Sequence, residues 1–410
     1  MRTIRRGVAA LVLAAVATGA SGCSSDSKND KDTGASKIAS GGGSGTPSSS
    51  TSGDKGAATS SGKGTASRLP SNTTTMTKLR RETGGLTPKS VDASGTGLVA
   101  ANNMIYTHTV TFYDAESKQK VATVPDTVDL KDYGLASTST KLKGGPVEGV
   151  WTKDASHYYV SNYVMSGPGY QDEPNDLCTG KEKYKPSYVY RIDAKTKKID
   201  QVIAAGAVPK YVALTHSEKH LLVSNWCSYS LGIIDTQTKK MVKQVPIAAW
   251  PRGIAVAPDD SYAYVAAFGT KNLYRVDLTT GKASVFAEVG GAARHVSMSP
   301  DGAFLYVVAS HGNTVTKLER ATGKKTGVTD GLVEPRSLTV SPDGKALYVV
   351  NYFASTVTKI DATTMKKIQV VHVGATPIGI TYEPRTGQVW VANYGGSIDV
   401  FDDTKAAPKK

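Results

Sequence analysis

Cysteine is scarce, with three in 410 residues, so few thiols have to be placed. Long apolar runs are missing too. The stretch from Val8 to Val16, extended by Ala17, falls well short of the roughly 20 residues a spanning helix needs, which argues against a permanent transmembrane anchor. There is no G-x-S-x-G, no H-E-x-x-H and no GxGxxG on a strand–helix unit. The sequence signs of a nucleophile elbow, a zinc protease and a dinucleotide site are therefore absent.

What is present divides the chain by composition. Residues 1–22 carry Arg2, Arg5 and Arg6 ahead of the apolar run and read as a signal peptide. The run ends in Ala20-Ser21-Gly22-Cys23, which resembles the lipobox of bacterial lipoproteins, although Ala20 stands where Leu is usual. Cys23 is the expected lipidation site; plain cleavage after Ala20 is the alternative. Residues 23–71, with GGGSG, SSSTSG and TSSGKG, hold almost no large apolar side chain. Such a stretch cannot offset chain entropy by burial and reads as a disordered tether. The expectation is an exported protein anchored by lipid to the outer face of the cell membrane. The formal net charge is +14, and about +9 of it stays with residues 72–410. That excess favours anionic lipid or wall polymer as surroundings, a statement about encounter rather than fold.

Residues 72–402 repeat. The segment PRSLTVSPDGKALYVVNYFASTVTKIDATTMKK begins at Pro335, and related segments begin at Ala293 and Pro251. An acid recurs at Asp193, Asp235, Asp277, Glu319 and Asp361 with a constant spacing of 42; Asp402 follows, and Asp114 precedes across a longer gap. Seven units result. Each contains four short strands: one ended by a Pro-Asp turn, one continuously apolar such as Leu347 to Val350, one rich in β-branched residues such as Thr356 to Ile360, and an outer strand such as Ile368 to Val373. Units of this kind stacked in a ring give an all-β, seven-bladed β-propeller. The last unit stops at Asp402 without an outer strand, while TTMTKLRRETGGLTP upstream of the first unit is in register with TTMKKIQVVHVGATP of the last complete one. The segment from Thr74 to Arg81 is thus predicted to close the ring, and residues 403–410 to form a basic tail.

The segments LYVVNYFASTVTKID and VWVANYGGSIDVFD resemble the YVTN-type propeller repeat, and the array resembles YncE-like exported propellers. The resemblance implies a seven-bladed ring in an extracytoplasmic setting, but no single activity.

Mapping the repeat places Lys89, Lys210, Arg252, Arg294 and Arg336 at one position just before the inner strand, with Glu148 replacing them in the second unit and Ile378 in the seventh. The loop between strands two and three, on the same face, carries Tyr163, Trp226, Phe268, His311, Tyr352 and Tyr394 at its own equivalent position. A cationic collar with an aromatic ring outside it suits an anionic or sugar-like ligand. Cations that cap strand ends or pair with the repeat acids are the bland alternative. His295, beside Arg294, with Glu148 as partner, is the nearest approach to an acid–base pair. With Cys23 assigned to lipid, Cys178 and Cys227 remain, in the matching loops of adjacent blades, and are predicted to form a disulfide. Asp172, Glu173 and Asp176, in the insertion at 163–186, fit no calcium loop, so neither metal nor cofactor is expected.

Three functions fit this reading. The first is a tethered, monomeric binding or scaffold module for an unknown protein or anionic envelope ligand. The second is a lactonase-like or other hydrolase at the channel mouth. Nucleic-acid binding through the basic excess and aromatic ring is the third, and export argues against it.

Overall fold

The computed structural model describes residues 75–163, 178 and 187–404. The signal segment, Cys23, the linker, most of the insertion after Tyr163 with its three acids, and residues 405–410 lie outside that set. The described chain forms seven four-stranded antiparallel sheets. Their inner strands are Pro88–Ala93, Gly145–Trp151, Pro209–Leu214, Pro251–Val256, Ala293–Met298, Pro335–Val340 and Pro377–Glu383, numbered here as blades one to seven. Each inner strand touches those of the blades before and after it, and blade seven touches blade one. The ring is closed.

Apolar burial lies between blades rather than inside them. Phe112 of blade one packs with Val160 and Tyr190 of blade two, and Tyr306 of blade five with Val349 and Ile360 of blade six. The second strands supply both neighbours, so they are buried on both faces; Leu347, Tyr348, Val349 and Val350 are all fully buried. Each aliphatic side chain buried this way contributes about 1.5–3 kcal/mol. The repeat acid has a local task. Asp193, Asp235, Asp277 and Asp361 each accept the backbone N–H three residues on, at 2.6–2.7 Å, and so fix the turn into the outer strand. These bonds hold the exposed carboxyls of Asp193, Asp235 and Asp277 below their ordinary range.

Between blades one and two the repeat pattern gives no sign of a small hairpin, Val128–Asp129 with Lys141–Leu142, that frames a 3-10 turn at Leu130–Tyr133. The Tyr133 hydroxyl donates to the Ile199 carbonyl at 3.1 Å and pins this excursion to the outer strand of blade two.

The outer strand of blade seven is Thr77–Thr83, paired antiparallel with Ser397–Asp402. It begins and ends two to three residues later than the sequence reading placed it, and Thr74 lies outside the described residues. Asp399, fully buried in the third strand, gathers this junction. Arg81 donates to both its oxygens at 2.7 and 2.9 Å, Lys78 lies at 2.8 Å, and the Gly374 N–H donates at 2.7 Å. The chain end is held as well. Asp403, grouped above with the basic tail, belongs to the ring: it is buried against Lys359 at 2.7 Å and accepts the Tyr348 hydroxyl.

Cys178 and Cys227 are bonded, with Cα atoms 5.5 Å apart. The Cys178 carbonyl accepts from the Tyr229 hydroxyl at 2.8 Å and from the Trp250 indole N–H at 3.1 Å, which ties one point of the insertion to blades three and four.

Two measurements check this architecture. Asp399→Ala leaves Lys78, Arg81 and the Gly374 N–H without their acceptor, and because both cations are half-exposed, urea unfolding should show a loss of about 1–3 kcal/mol. Burial raises the Asp399 pKa, but the Arg81 and Lys78 hydrogen bonds outweigh it and hold the carboxyl below its usual value. Its contribution is therefore full above the unfolded pKa of about 3.9 and lost as pH falls through the folded value. The gap between wild type and variant should close in acid, and a constant gap would assign the loss to packing. Reducing the bridge should lower stability by about 2–4 kcal/mol, read as a shift in the urea midpoint between oxidised and reduced protein. Coincident midpoints would show that the bridge constrains nothing.

Candidate functional site

Each inner strand opens with one paired residue followed by a register shift: Pro88 opposite Asn103, Pro209 opposite Asn225, Pro335 opposite Asn351. The residue inside that bulge is Lys89, Lys210, Arg252, Arg294 or Arg336, and Ile378 in blade seven. In blade two, Pro146 stands opposite Asn162 and Gly149 opposite Val160, so Val147 holds the collar position. The sequence reading gave that place to Glu148. The long insertions flanking blade two break the 42-residue count, and the alignment there slips by one. Val147 packs with Met104, Val208, Trp226 and the disulfide in an apolar cluster beside the mouth. Glu148 sits one step deeper, level with Ser90, Tyr211, His295 and Ser337.

Two of the collar cations, Arg252 and Lys89, turn toward Glu148. Arg252 of blade four reaches Glu148 of blade two at 3.1 Å, and Lys89 of blade one approaches the same oxygen at 3.8 Å. Contact across non-adjacent blades requires both side chains to cross the channel. Arg294 is 5 % exposed, lies 5.4 Å from the centre of the Phe268 ring, and has no hydrogen-bond partner at Nε. Arg336 pairs with Glu334 at 3.0 Å and lies 4.1 Å from the centre of the Tyr352 ring. Lys210 is buried 5.7 Å from the centre of the Trp226 ring. Burial first, then Arg252 and Arg336, push the Arg294 guanidinium well down from its ordinary value. Burial and Arg252 do the same to Lys89, with Glu148 opposing. A guanidinium keeps its proton in a protein, so this push measures an electrostatic penalty that an anion would relieve.

Below the collar is a polar chamber of about 150 Å³, lined by Ser90, Asp92, Glu148, Tyr211, His295 and Ser337 among others. Burial, and next the Glu148 charge, push Asp92 up to about 7, against hydrogen bonds from Tyr158 at 2.6 Å and Ser90 at 3.1 Å. Burial raises Glu148 as well, opposed by Lys89, Arg252, Arg294 and Lys210. His295 is driven down to about 3 by burial and then by Arg252 and Arg294. It is neutral at ordinary pH and has no acidic proton to give as an imidazolium; its Nε2 lies 3.2 Å from the Ser297 hydroxyl. Among the described residues, the His/Asp/Glu group with ligand atoms within 4.8 Å of one another is His157, Asp193 and Asp200, at the far end of blade two. The channel residues do not form one.

The aromatic loops meet the collar only in part. Trp226, Phe268, Tyr352 and Tyr394 hold one register, each donating its backbone N–H to the residue that precedes an inner strand: Val208, Trp250, Glu334 and Thr376. In blade five Ser310 makes that bond to Ala292. His311, assigned to this position from sequence, is one residue further on and meets Phe268 edge-on at 5.4 Å. Only the backbone of Tyr163 is described. Trp250, which the sequence reading missed, stacks on Trp226 at 5.8 Å and 13°. It belongs to a recurring set with positive φ, namely Val208, Trp250, Ala292, Glu334 and Thr376. Left-handed backbone in five non-glycine residues is uncommon and is held here by the loop N–H bonds. A period-42 comparison of the residue before each inner strand would have singled it out.

Residues 177–303 match the family model of the YNCE-like beta-propeller. No curated protein matches the chain. Among solved structures, the Kuenenia stuttgartiensis hydrazine synthase is similar at a TM-score of 0.62 and 17 % identity, over 79 % of this chain and 98 % of that one. At that identity the likeness concerns the fold. With seven four-stranded blades closed in a ring, the chain is a seven-bladed β-propeller, and its stretch through blades three and four is similar to the YNCE-like family.

Proposed function

We propose that the propeller is a binding module that holds an anionic ligand at the mouth of its channel. The observation that carries this reading is the buried, unpartnered Arg294 Nε, with Arg252 and Arg336 pressing on the same guanidinium and Lys89 Nζ likewise without a hydrogen bond. Buried charge without a partner is costly, and a bound anion would offset that cost with charge-assisted hydrogen bonds. Trp250 and Phe268, partly buried and backed by the buried Trp226, offer flat apolar surface to the remainder of such a ligand. The Cys178–Cys227 bridge supports an oxidising, extracytoplasmic setting, in keeping with the proposed lipid anchor at Cys23. A hydrolase reading is disfavoured by the weak basicity of His295, driven down to about 3 by burial and then Arg252, and by the lack of a three-residue His/Asp/Glu group in the described channel.

The test is calorimetric titration with inorganic phosphate, a linear polyphosphate and a single-stranded oligonucleotide at two salt concentrations. Phosphate or polyphosphate should bind, and Arg294→Ala should weaken binding by about 10- to 100-fold, the equivalent of about 1–3 kcal/mol. Unchanged affinity in the variant would remove the collar from the site. Tight binding of the oligonucleotide alone, falling steeply with salt, would favour the nucleic-acid reading instead.

A further inference from the structure

Glu148 occupies the place where a ligand's negative charge would act. It is the carboxylate that both Arg252 and Lys89 reach, at 3.1 and 3.8 Å, and Lys210 and Arg294 also act on its charge. The register shows that it is not a collar residue turned acidic; it reaches up into the collar from the layer beneath. A purely structural counter-ion has a different arrangement in this same ring: Asp399 is fully buried, accepts with both its oxygens from a bidentate Arg81 and is capped by a backbone N–H. Glu148 makes one guanidinium contact and one long approach, lines an open chamber, and leaves Arg294 Nε and Lys89 Nζ without hydrogen bonds.

We propose that Glu148 is an internal competitor for the anion site, and that its protonation raises the affinity of the collar for the ligand. This rests on the anion-binding reading above and adds its regulation. The ligand class narrows with it. A group carrying two charges, such as a phosphate monoester or sulfate, can engage Arg252 and Arg294 together against the Glu148 field, whereas a single carboxylate only replaces the charge already there.

Every titratable or charged group around Glu148 bears on the pH dependence. Blade one contributes Lys89 and Asp92, blade three Lys210 and Tyr211, and blade four Arg252. Blade five contributes Arg294 and His295, and the second strand of blade two contributes Tyr158. The arginines keep their protons and His295 is held down to about 3, while Lys89, pushed well down from its ordinary value, can only gain charge as pH falls; Asp92 and Glu148 are the carboxyls whose titration the variants separate. The sign follows from charge: protonating Glu148 removes a negative charge beside Arg252, so anion affinity rises as pH falls. Linkage requires the reverse as well, with anion binding drawing a proton onto Glu148.

Sulfate is the probe, because its charge is constant through the range, with acetate as the singly charged comparison. Wild-type protein should bind sulfate more tightly as pH is lowered from about 8 to about 5, gaining about tenfold. Binding enthalpy measured in buffers of different ionisation heat should report proton uptake. Glu148→Gln should bind about tenfold more tightly than wild type at the upper pH, with the pH slope and the proton uptake gone, while Asp92→Asn keeps both. Acetate should bind more weakly than sulfate to every form. The inference is overturned if Glu148→Gln binds sulfate no better than wild type, if Asp92→Asn rather than Glu148→Gln abolishes the slope, or if acetate matches sulfate. If Glu148→Gln fails to fold, proton uptake by wild type decides the matter: its absence overturns the inference. Absence of sulfate binding in all forms would instead fail the anion-binding reading itself.

Discussion

The ring depends on one junction. Every other blade is made from consecutive strands, and blade seven alone is completed by Thr77–Thr83, over three hundred residues distant in sequence from its partner strand. Burial between blades is cyclic, so opening this junction exposes the faces that Tyr113 and Trp390 share between blades seven and one. The strand itself buries little, being exposed along most of its length, and its attachment therefore falls to the ladder and to Asp399. A fully buried carboxylate here has one strand's cations as its chief charge partners, so the ionic contact specifies which segment completes the sheet as well as holding it.

Much of this was legible in the sequence. A constant spacing of 42 between the acids that end third strands reports a repeated turn, because a side chain that caps its own turn must keep its place in the repeat. The strand register of the closing segment followed from its likeness to the last complete repeat, and the Cys178–Cys227 pairing from matching loops on adjacent blades. Features without a period stayed hidden. Asp399 differs from its counterparts in other blades and shows its purpose only when Lys78 and Arg81 are brought opposite it. Counting failed by one residue at Glu148 and at His311 because a bulge or an insertion shifts the frame without changing the residue types nearby. The chamber was invisible for a related reason: it is assembled from one residue in each of several blades, and no local pattern records that Ser90, Glu148, Tyr211 and His295 share a level.

The channel is electrically layered. Cations ring the mouth, two carboxyls lie beneath them, and burial presses on both sets, downward for Lys89 and Arg294 and upward for Asp92 and Glu148. Such an arrangement is less favourable for stability than an apolar plug, and Val147 with Ile378 shows that apolar residues fit the same collar position. Retaining five cations there instead concentrates a field that an approaching anion meets before it makes any contact.

The closing strand is also the first element of the ring that a pull from upstream reaches. Tension along the chain arrives at Met76, which is buried and exchanges backbone hydrogen bonds with the Gln369 side chain of blade six, then at Thr77, opposite Asp402, and passes next to Lys78 and Arg81, the two residues fastened to Asp399. The ionic clasp thus stands near the end of the ladder where peeling begins. If the chain upstream of Met76 carries load, whatever yields first is the closure of the ring, and resistance to peeling rests on the seating of Met76 and on the Asp399 clasp behind it.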